Sequence, residues 1–367
     1  MKPLVVTGGG TGGHIYPAIA VANAWRRLVP ESDVLFVGAC DGMEARVAPQ
    51  AGIRFSGIVA AKLPGRPGPR SVVALATTLR GTLQARRILA RLRPSVVVST
   101  GGYAGAAAAC AALATRTPVV LVEPNAVPGR ANRWLGRWVQ RVCVAFEEAA
   151  AWFPRDRTTV TGAPIRPDVV SAMPERDARA HFGLPEDGWV LLVVGGSQGA
   201  RALNVAAVAA LPLLPTSVAM LHQTGTADAD ASRARAAQAG LAAPRYVARS
   251  YFESAEMPIA YAAASLVLCR CGASSLAEAS ANGLPAIMVP LPTAFADHQT
   301  ANARALERAG AGILVPQSEL TAEKLAETVR GLTDAPERLE AMRNASRAAG
   351  RPGAAEQVAR IALEVAR

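Results

Sequence analysis

Two stretches of this chain repeat one pattern, and that pattern constrains the fold more than any other feature. Leu4-Val5-Val6 runs into Gly8-Gly9-Gly10-Thr11-Gly12-Gly13-His14, and Trp189-Val190-Leu191-Leu192-Val193-Val194 runs into Gly195-Gly196-Ser197-Gln198-Gly199-Ala200. Each reads as a buried strand, a tight glycine turn and a helix start. Such a unit aims backbone N–H groups and the positive end of a helix at its ligand, usually an anion. Two of them, near the starts of the two halves of a 367-residue chain, point to two nucleotide-binding-type domains. A hydrophobic content of 51% is ample for two cores.

The rest of the pattern agrees. In the first half, strand-like runs at Leu4–Val6, Val34–Val37, Val96–Ser99, Val119–Leu121 and Val142–Val144 alternate with helical stretches at Ala18–Leu28, Ser71–Arg91 and Gly105–Ala114. The second half continues with strands at Val190–Val194, Met220–Gln223, Tyr246–Val247, Leu266–Cys269, Ala286–Val289 and Ile313–Val315. This alternation predicts an α/β chain of two doubly wound, Rossmann-like parallel-sheet domains. The punctuated stretch Thr161–Pro167 is the expected linker. It divides a first domain of residues 1–163 from a second of residues 164–344, with 345–367 a helix packing back on the first.

Charge is distributed unevenly. Residues 1–163 carry 20 Lys and Arg against 8 Asp and Glu, whereas residues 164–344 carry 15 against 18. Aromatic residues are too sparse to build base-stacking platforms, so no nucleic-acid partner is expected. An anionic membrane surface fits better. Between Ser71 and Arg93, Val72, Val73, Leu75, Leu79, Leu83, Ile88, Leu89 and Leu92 mix with Arg80, Arg86, Arg87, Arg91 and Arg93, the composition of a helix that can lie among headgroups. An ordinary core-facing helix with a basic solvated face fits the same residues. No stretch reaches the roughly 20 apolar residues of a membrane span, and no basic-then-apolar leader pattern precedes the first strand. Cys40, Cys110, Cys143, Cys269 and Cys271 read as reduced thiols, no Cys/His pattern completes a zinc site, and no Asp-x-Asp pair sits at a strand end. No metal and no cofactor are expected.

The glycine loops admit three readings. Gly8, Gly10 and Gly13 satisfy G-x-G-x-x-G, with Asp41 placed for a dinucleotide ribose. Gly195, Ser197 and Gly199 satisfy the G-x-S-x-G of a hydrolase nucleophile elbow. Each of these leaves the other half of the chain unexplained. The third reading uses both loops, one touching an acceptor and the other cradling a diphosphate. Gly272-Ala273-Ser274-Ser275-Leu276-Ala277-Glu278 favours it, because a nucleoside diphosphate needs a glycine-serine turn for phosphate and a carboxylate for ribose hydroxyls.

At this point a specific resemblance enters. Gly9-Gly10-Thr11-Gly12-Gly13-His14, Gly101-Gly102-Tyr103, Glu123-Pro124-Asn125, Gly195-Gly196-Ser197-Gln198-Gly199-Ala200, Arg270-Cys271-Gly272-Ala273, Glu278, Gly283-Leu284-Pro285-Ala286 and Asp297-His298-Gln299-Thr300-Ala301-Asn302-Ala303 stand in one order along the chain. The set resembles the peptidoglycan N-acetylglucosaminyltransferases of glycosyltransferase family 28, two-domain GT-B enzymes whose domains face across a cleft. Pro124, Ala163 and Thr300 depart from the common pattern, where Gln, Asn and a second Gln are frequent.

The resemblance implies transfer of GlcNAc from UDP-GlcNAc, with inversion, to the C4 hydroxyl of MurNAc in undecaprenyl-diphosphate-MurNAc-pentapeptide (lipid I). The product is lipid II, a precursor for cell-wall growth, cell shape and division. A related GT-B transferase acting on another glycolipid or aglycone is the alternative. By the same resemblance Ser197 and Arg166 face the diphosphate, Glu278 takes the ribose hydroxyls, backbone near Phe252 reads uracil, and Gln299 binds the GlcNAc ring. Thr11, Gly12, Gly13, Asn125, Ala273, Ser274, Ser275, Leu276 and Ala277 complete the donor contacts. Gly102, Tyr103 and Asn125 touch the acceptor. His14 is the expected base, since imidazole titrates near neutrality and a glycine loop would expose it. The implied location is peripheral, on the cytoplasmic face of the bacterial plasma membrane. Implied partners are lipid I, the anionic leaflet and cell-wall synthesis proteins.

Overall fold

The structure, a computed structural model, describes residues 3–61, 69–196, 199–253 and 255–367. The chain divides into two compact units, residues 1–167 with 352–367 and residues 168–351. Unit 1 runs β1 (Leu4–Thr7), α1 (Gly12–Leu28), β2 (Val34–Ala39), α2 (Glu44–Gln50), β3 (Arg54–Ile58), α3 (Pro69–Leu92), β4 (Val96–Ser99), α4 (Gly102–Ala114), β5 (Val119–Glu123), α5 (Arg130–Leu135), β6 (Arg141–Val144), α6 (Glu147–Ala150) and β7 (Thr158–Val160). Among the described residues its seven strands form one parallel sheet in the order β3-β2-β1-β4-β5-β6-β7.

Successive strand residues point to opposite faces, and the core divides accordingly. Leu4, Val6, Phe36, Val96, Val98 and Val122 pack beneath α1 and, at the end of the chain, α15 (Ala354–Val365). Val5, Val37, Val97, Leu121 and Val144 pack beneath residues of α3, α4 and the α5–α6 region. Strands buried on both faces read as continuous apolar runs, which is why β1, β4 and β5 are legible in sequence. β3 and β7 lie at the sheet edges and are half exposed, so their mixed residues give no such signal.

Unit 2 contains α7 (Glu175–Phe182), β8 (Trp189–Val194), α8 (Arg201–Ala210), β9 (Val218–Gln223), α9 (Ala229–Gln238), β10 (Tyr246–Arg249), α10 (Glu256–Ala263), β11 (Leu266–Cys269), α11 (Ala273–Ala281), β12 (Ala286–Met288), α12 (His298–Arg308), β13 (Gly312–Leu314), α13 (Ala322–Thr333) and α14 (Pro336–Ala349). Its six described strands are parallel, ordered β10-β9-β8-β11-β12-β13.

Both expected boundaries move. The first lies four residues later, after Pro167, and within the added stretch Ile165 is buried. The second lies seven residues later. Ser346 Oγ donates to the Leu284 carbonyl at 2.9 Å, and Gly350 packs where a Cβ would stand 2.5 Å from the Ser280 carbonyl oxygen. Residues 345–351 therefore belong to unit 2, and only α15 returns to unit 1.

A buried polar network stiffens unit 2. His222, fully buried, bonds the Tyr246 hydroxyl through Nδ1 (2.9 Å) and Asn204 Oδ1 through Nε2 (3.0 Å). Asn204 Nδ2 donates to the Thr224 carbonyl and the Asp228 carboxylate, both at 2.8 Å. Oδ1 of Asn204 can only accept, so Nε2 carries a hydrogen, and burial disfavours a second proton on Nδ1, which faces the Tyr246 hydroxyl. Burial pushes the His222 pKa from 6.5 down to about 4. Between those values the unfolded chain binds the extra proton, so stability present above pH 6.5 is lost as pH falls toward 4. Denaturant titrations across that window are expected to lose up to about 3 kcal/mol more for the wild type than for His222→Gln. Equal pH slopes for the two proteins would contradict this account.

Candidate functional site

In doubly wound sheets, ligands bind beyond the carboxyl ends of the strands, where the strand order reverses. Unit 1 reverses between β1 and β4, unit 2 between β8 and β11. The loops after these four strands hold most of the residues singled out from sequence.

In unit 1 the loop after β1 enters α1 at Gly12, with Thr11 as an extended N-cap whose side chain makes no capping bond. His14 is therefore not on the loop, as expected, but in the first turn of α1, half-buried. Its Nδ1 lies 2.7 Å from the Thr100 carbonyl. A carbonyl only accepts, so Nδ1 carries the hydrogen and Nε2 is the basic nitrogen of the neutral ring. Thr100 answers with its hydroxyl, which donates to the His14 carbonyl at 2.5 Å.

The loop after β4 closes on the first loop, and the glycines are what permit it. A Cβ on Gly102 (φ +77°) would stand 2.1 Å from the Gly9 carbonyl oxygen. One on Gly10 (φ +89°) would meet the Tyr103 ring at 2.7 Å. Tyr103 is half-buried; burial first, then the carboxylates of Glu44 and Asp41, raise its phenol above the ordinary value and keep it a donor. Gly12 and Gly13 face no such constraint from backbone, and they sit in helical conformation at the amino end of α1.

Asn125 joins through a carboxylate hub that the sequence reading did not assign. Buried Glu123 accepts from Asn125 N–H (3.0 Å), Asn125 Nδ2 (3.2 Å), Gly129 N–H (3.1 Å) and Asn132 Nδ2 (2.8 Å). The Asn132 amide abuts Gly101, whose missing Cβ would also stand 3.3 Å from His14 Cε1. His14, Gly102, Tyr103 and Asn125 thus belong to one constellation, with Thr100, Glu123 and Asn132 as its unforeseen supports. Glu44 is a further one: fully buried, it takes the Ala39 N–H at 2.9 Å and fills the space left by Gly9, Gly38 and Gly42.

In unit 2, Ser197 and Gln198 lie outside the described residues. The flanking Gly196 carbonyl accepts from Gln223 Nε2 at 3.4 Å, and the Oε1 of the same amide accepts from Phe252 N–H at 3.0 Å. One buried glutamine thereby connects the β8 loop with Phe252, whose ring is core and meets Phe182 edge-on at 5.5 Å. α11 begins at Ala273 after Gly272. Ser274 Oγ, buried in its first turn, has no hydrogen-bond partner among the described residues. Ser275 and Ala277 are half-buried, while Ala273 and Leu276 are buried. Glu278 lies in the second turn, where its Oε2 accepts from the Tyr261 hydroxyl at 3.0 Å.

Gln299 and Arg166 are the remaining two residues. Gln299 lies at the start of α12, its Oε1 taking the Leu291 N–H at 2.9 Å. It follows Ala296 and Asp297, both in the left-handed region. Arg166 falls in unit 1, directly before the division of the chain, and not in the unit that carries the β8 loop. Among the described residues, no three His, Cys, Asp or Glu side chains gather as a metal site.

The contact of Gly102 with Gly9 yields a direct test. Gly102→Ala adds a Cβ at positive φ against a backbone oxygen, which is expected to cost about 1–3 kcal/mol in chemical denaturation. A change within about 0.5 kcal/mol, the range of neutral surface substitutions, would show that the two loops can part freely.

The same two units appear in known proteins. Residues 4–144 match the glycosyltransferase family 28 N-terminal domain, and residues 190–358 match the glycosyltransferase family 28 C-terminal domain. A relative from Desulforudis audaxviator (strain MP104C) is 40% identical over 369 residues, covering 99% of this chain and 98% of its own. One from Moorella thermoacetica is 41% identical over 368 residues, covering 98% of both. Both are named UDP-N-acetylglucosamine--N-acetylmuramyl-(pentapeptide) pyrophosphoryl-undecaprenol N-acetylglucosamine transferase. Among solved structures, Acinetobacter baumannii MurG superposes with a TM-score of 0.79 at 30% identity, over 99% of this chain and 100% of that one. The UDP-GlcNAc 2-epimerase from Neisseria meningitidis shares the fold alone, with a TM-score of 0.68 at 15% identity over 99% and 100% of the chains. With both domain models matched in order and relatives aligned end to end, the chain belongs to glycosyltransferase family 28.

Proposed function

We propose that this chain transfers GlcNAc from UDP-GlcNAc to the C4 hydroxyl of MurNAc in undecaprenyl-diphosphate-MurNAc-pentapeptide, the lipid I to lipid II step of peptidoglycan synthesis. The observation that carries this reading is the pair of half-sites at the switch points of two family 28 domains. One presents His14 with Nδ1 committed to Thr100, the other presents Glu278 beside the glycine-serine start of α11. Unit 1 takes the acceptor and unit 2 the donor.

The acceptor hydroxyl attacks the anomeric carbon of the α-linked donor as the bond from that carbon to the diphosphate breaks, so configuration inverts. The proton passes to Nε2 of His14, whose ring is aimed by Thr100, and the electron pair leaves with UDP. Charge on the departing diphosphate is met by the amino ends of α8 and α11, with Ser197 and the Ser274 hydroxyl as donors and Arg166 and Ser275 as further contacts. Glu278, steadied by Tyr261, holds the ribose hydroxyls; the Phe252 carbonyl serves the uracil edge, its N–H being engaged by Gln223; Gln299 reads the sugar. No metal ion or cofactor is assigned a role.

Because the acceptor is tethered to a lipid, unit 1 must work at a headgroup layer on the cytoplasmic side. The exposed Val72, Val73, Leu75, Leu79 and Leu83 of α3, together with exposed Arg80, Arg86, Arg87 and Arg91, support that reading. No described helix is long and apolar enough to cross a membrane.

Glu278→Ala is expected to weaken UDP-GlcNAc binding by about 1–3 kcal/mol in calorimetry through lost hydrogen bonds to the ribose; unchanged affinity would remove Glu278 from the donor site. His14→Ala is expected to lower kcat by roughly 10²–10⁴-fold with UDP affinity little altered. Near-wild-type turnover in that variant would mean that another group takes the proton.

A further inference from the structure

Gln223 closes β9, in register between Val194 of β8 and Arg249 of β10. From that central position its buried side chain reaches the loops that follow both neighbouring strands. Oε1 accepts from the Phe252 N–H at 3.0 Å, and Nε2 donates to the Gly196 carbonyl at 3.4 Å. A backbone N–H only donates and a carbonyl only accepts, so the amide oxygen must face Phe252 and the nitrogen Gly196. A side chain with one polar atom, or with two of one kind, cannot make both bonds.

Each partner leaves the amide something to fix. Phe252 is anchored by its buried ring against Phe182, and the bond from Gln223 sets the backbone beside that anchor. Gly196 has a φ of +87°, and among the described residues no atom beyond its chain neighbours comes within 4 Å of where a Cβ would stand. Side-chain packing therefore does not hold it. Its carbonyl accepts from the Gly199 N–H at 2.9 Å, which closes the turn, and from Gln223, which ties the turn to β9. Thr224, the next residue, braces the same turn. Its carbonyl takes Asn204 Nδ2 at 2.8 Å and lies 2.4 Å from where a Cβ on Gly199 would stand.

We propose that Gln223 is a positioning residue that couples recognition of the donor's base to recognition of its diphosphate, and so sets base specificity. The inference rests on the proposed UDP-GlcNAc reading, in which the Phe252 carbonyl meets the uracil edge and the turn after β8 meets the diphosphate. Uracil offers an N3–H donor to that carbonyl, whereas cytosine has a bare acceptor at N3 and an amino group beside it. Cytosine therefore displaces the Phe252 segment. The amide is planar and bonded at both ends, so displacing one partner turns the other. A wrong base is rejected at its own edge and again through a diphosphate that is less well held. Such coupling is reciprocal, so the diphosphate in turn sharpens the choice of base.

The full chain is titrated with UDP and CDP by calorimetry, and with uridine and cytidine by competition. In the wild type the preference for UDP over CDP is expected to exceed that for uridine over cytidine by roughly three- to tenfold, the worth of one neutral hydrogen bond. Gln223→Met, similar in length but without the polar contacts, is expected to remove this excess and to raise KM for UDP-GlcNAc more than it lowers kcat. Gln223→Glu still accepts from the Phe252 N–H but cannot donate to Gly196. It is expected to keep the nucleoside preference and lose the excess; its added charge acts on UDP and CDP alike and cancels in their ratio. Equal preferences at the two levels in the wild type, or an excess that survives in either variant, would overturn the coupling. A uniform loss of affinity with both ratios intact would make Gln223 a packing residue only and overturn it too. If the wild type does not bind UDP, the donor reading itself fails. Should Gln223→Met not fold, the wild-type ratios and Gln223→Glu decide the matter.

Discussion

Thr100 and His14 exchange hydrogen bonds at the point where the strand order of unit 1 reverses. The rest of the candidate acceptor site depends on this exchange. It joins the β1–α1 connection to the β4–α4 connection, settles which imidazole nitrogen is basic, and draws two backbones so close that side chains are excluded. A Cβ at Gly8 would stand 2.1 Å from Thr100 Oγ1, so the first glycine of the run exists to admit the threonine. Part of the glycine pattern that suggests anion binding is thus a packing requirement, and only the amino end of α1 retains the open geometry an anion needs.

Unit 2 solves a similar problem with side-chain amides. Gln223 spans from the Gly196 carbonyl to the Phe252 N–H, and Asn204 spans from His222 to Thr224 and Asp228. Both hold loops at the carboxyl ends of strands without offering a charge of their own. Burial raises the Asp228 pKa, but hydrogen bonds from Asn204, Arg235 and Ser232 outweigh it and leave the group below its ordinary value. Asp228 is a structural anion, occupied by its neighbours rather than by a ligand.

The two units also divide the surface properties of the chain. Excess positive charge is confined to the first, on the same unit as the exposed side chains of α3. The N-terminal half of α3 is amphipathic in an unusual sense, since Val72, Val73, Leu75 and Leu79 face outward while Ala85, Ile88, Leu89 and Leu92 of its C-terminal half pack on the core. The composition of that segment is compatible with either a core-facing or a surface-lying helix. Exposure distinguishes them, and it favours the surface.

Sequence alone determined the architecture and the family, because doubly buried strands are apolar throughout and glycine turns recur at fixed places after them. It also drew out His14 and Glu278, which stand in local glycine-loop motifs, and Gly102 and Tyr103 through the family resemblance. It did not reveal Thr100, Asn132, Glu44, Gln223 or Tyr261, because a threonine at a strand end or a glutamine after a histidine carries no distinctive local pattern. Their roles arise from partners 86 residues away for Thr100 and 17 for Tyr261, which only the parallel sheets bring together. Edge strands β3 and β7 were illegible for a related reason: half exposed, they carry no continuous apolar run. Tertiary structure alone decided that His14 sits in a helix turn with a committed Nδ1 and that residues 345–351 stay with unit 2. Each is a matter of which surfaces pack, and packing depends on distances through space that the order of residues does not contain.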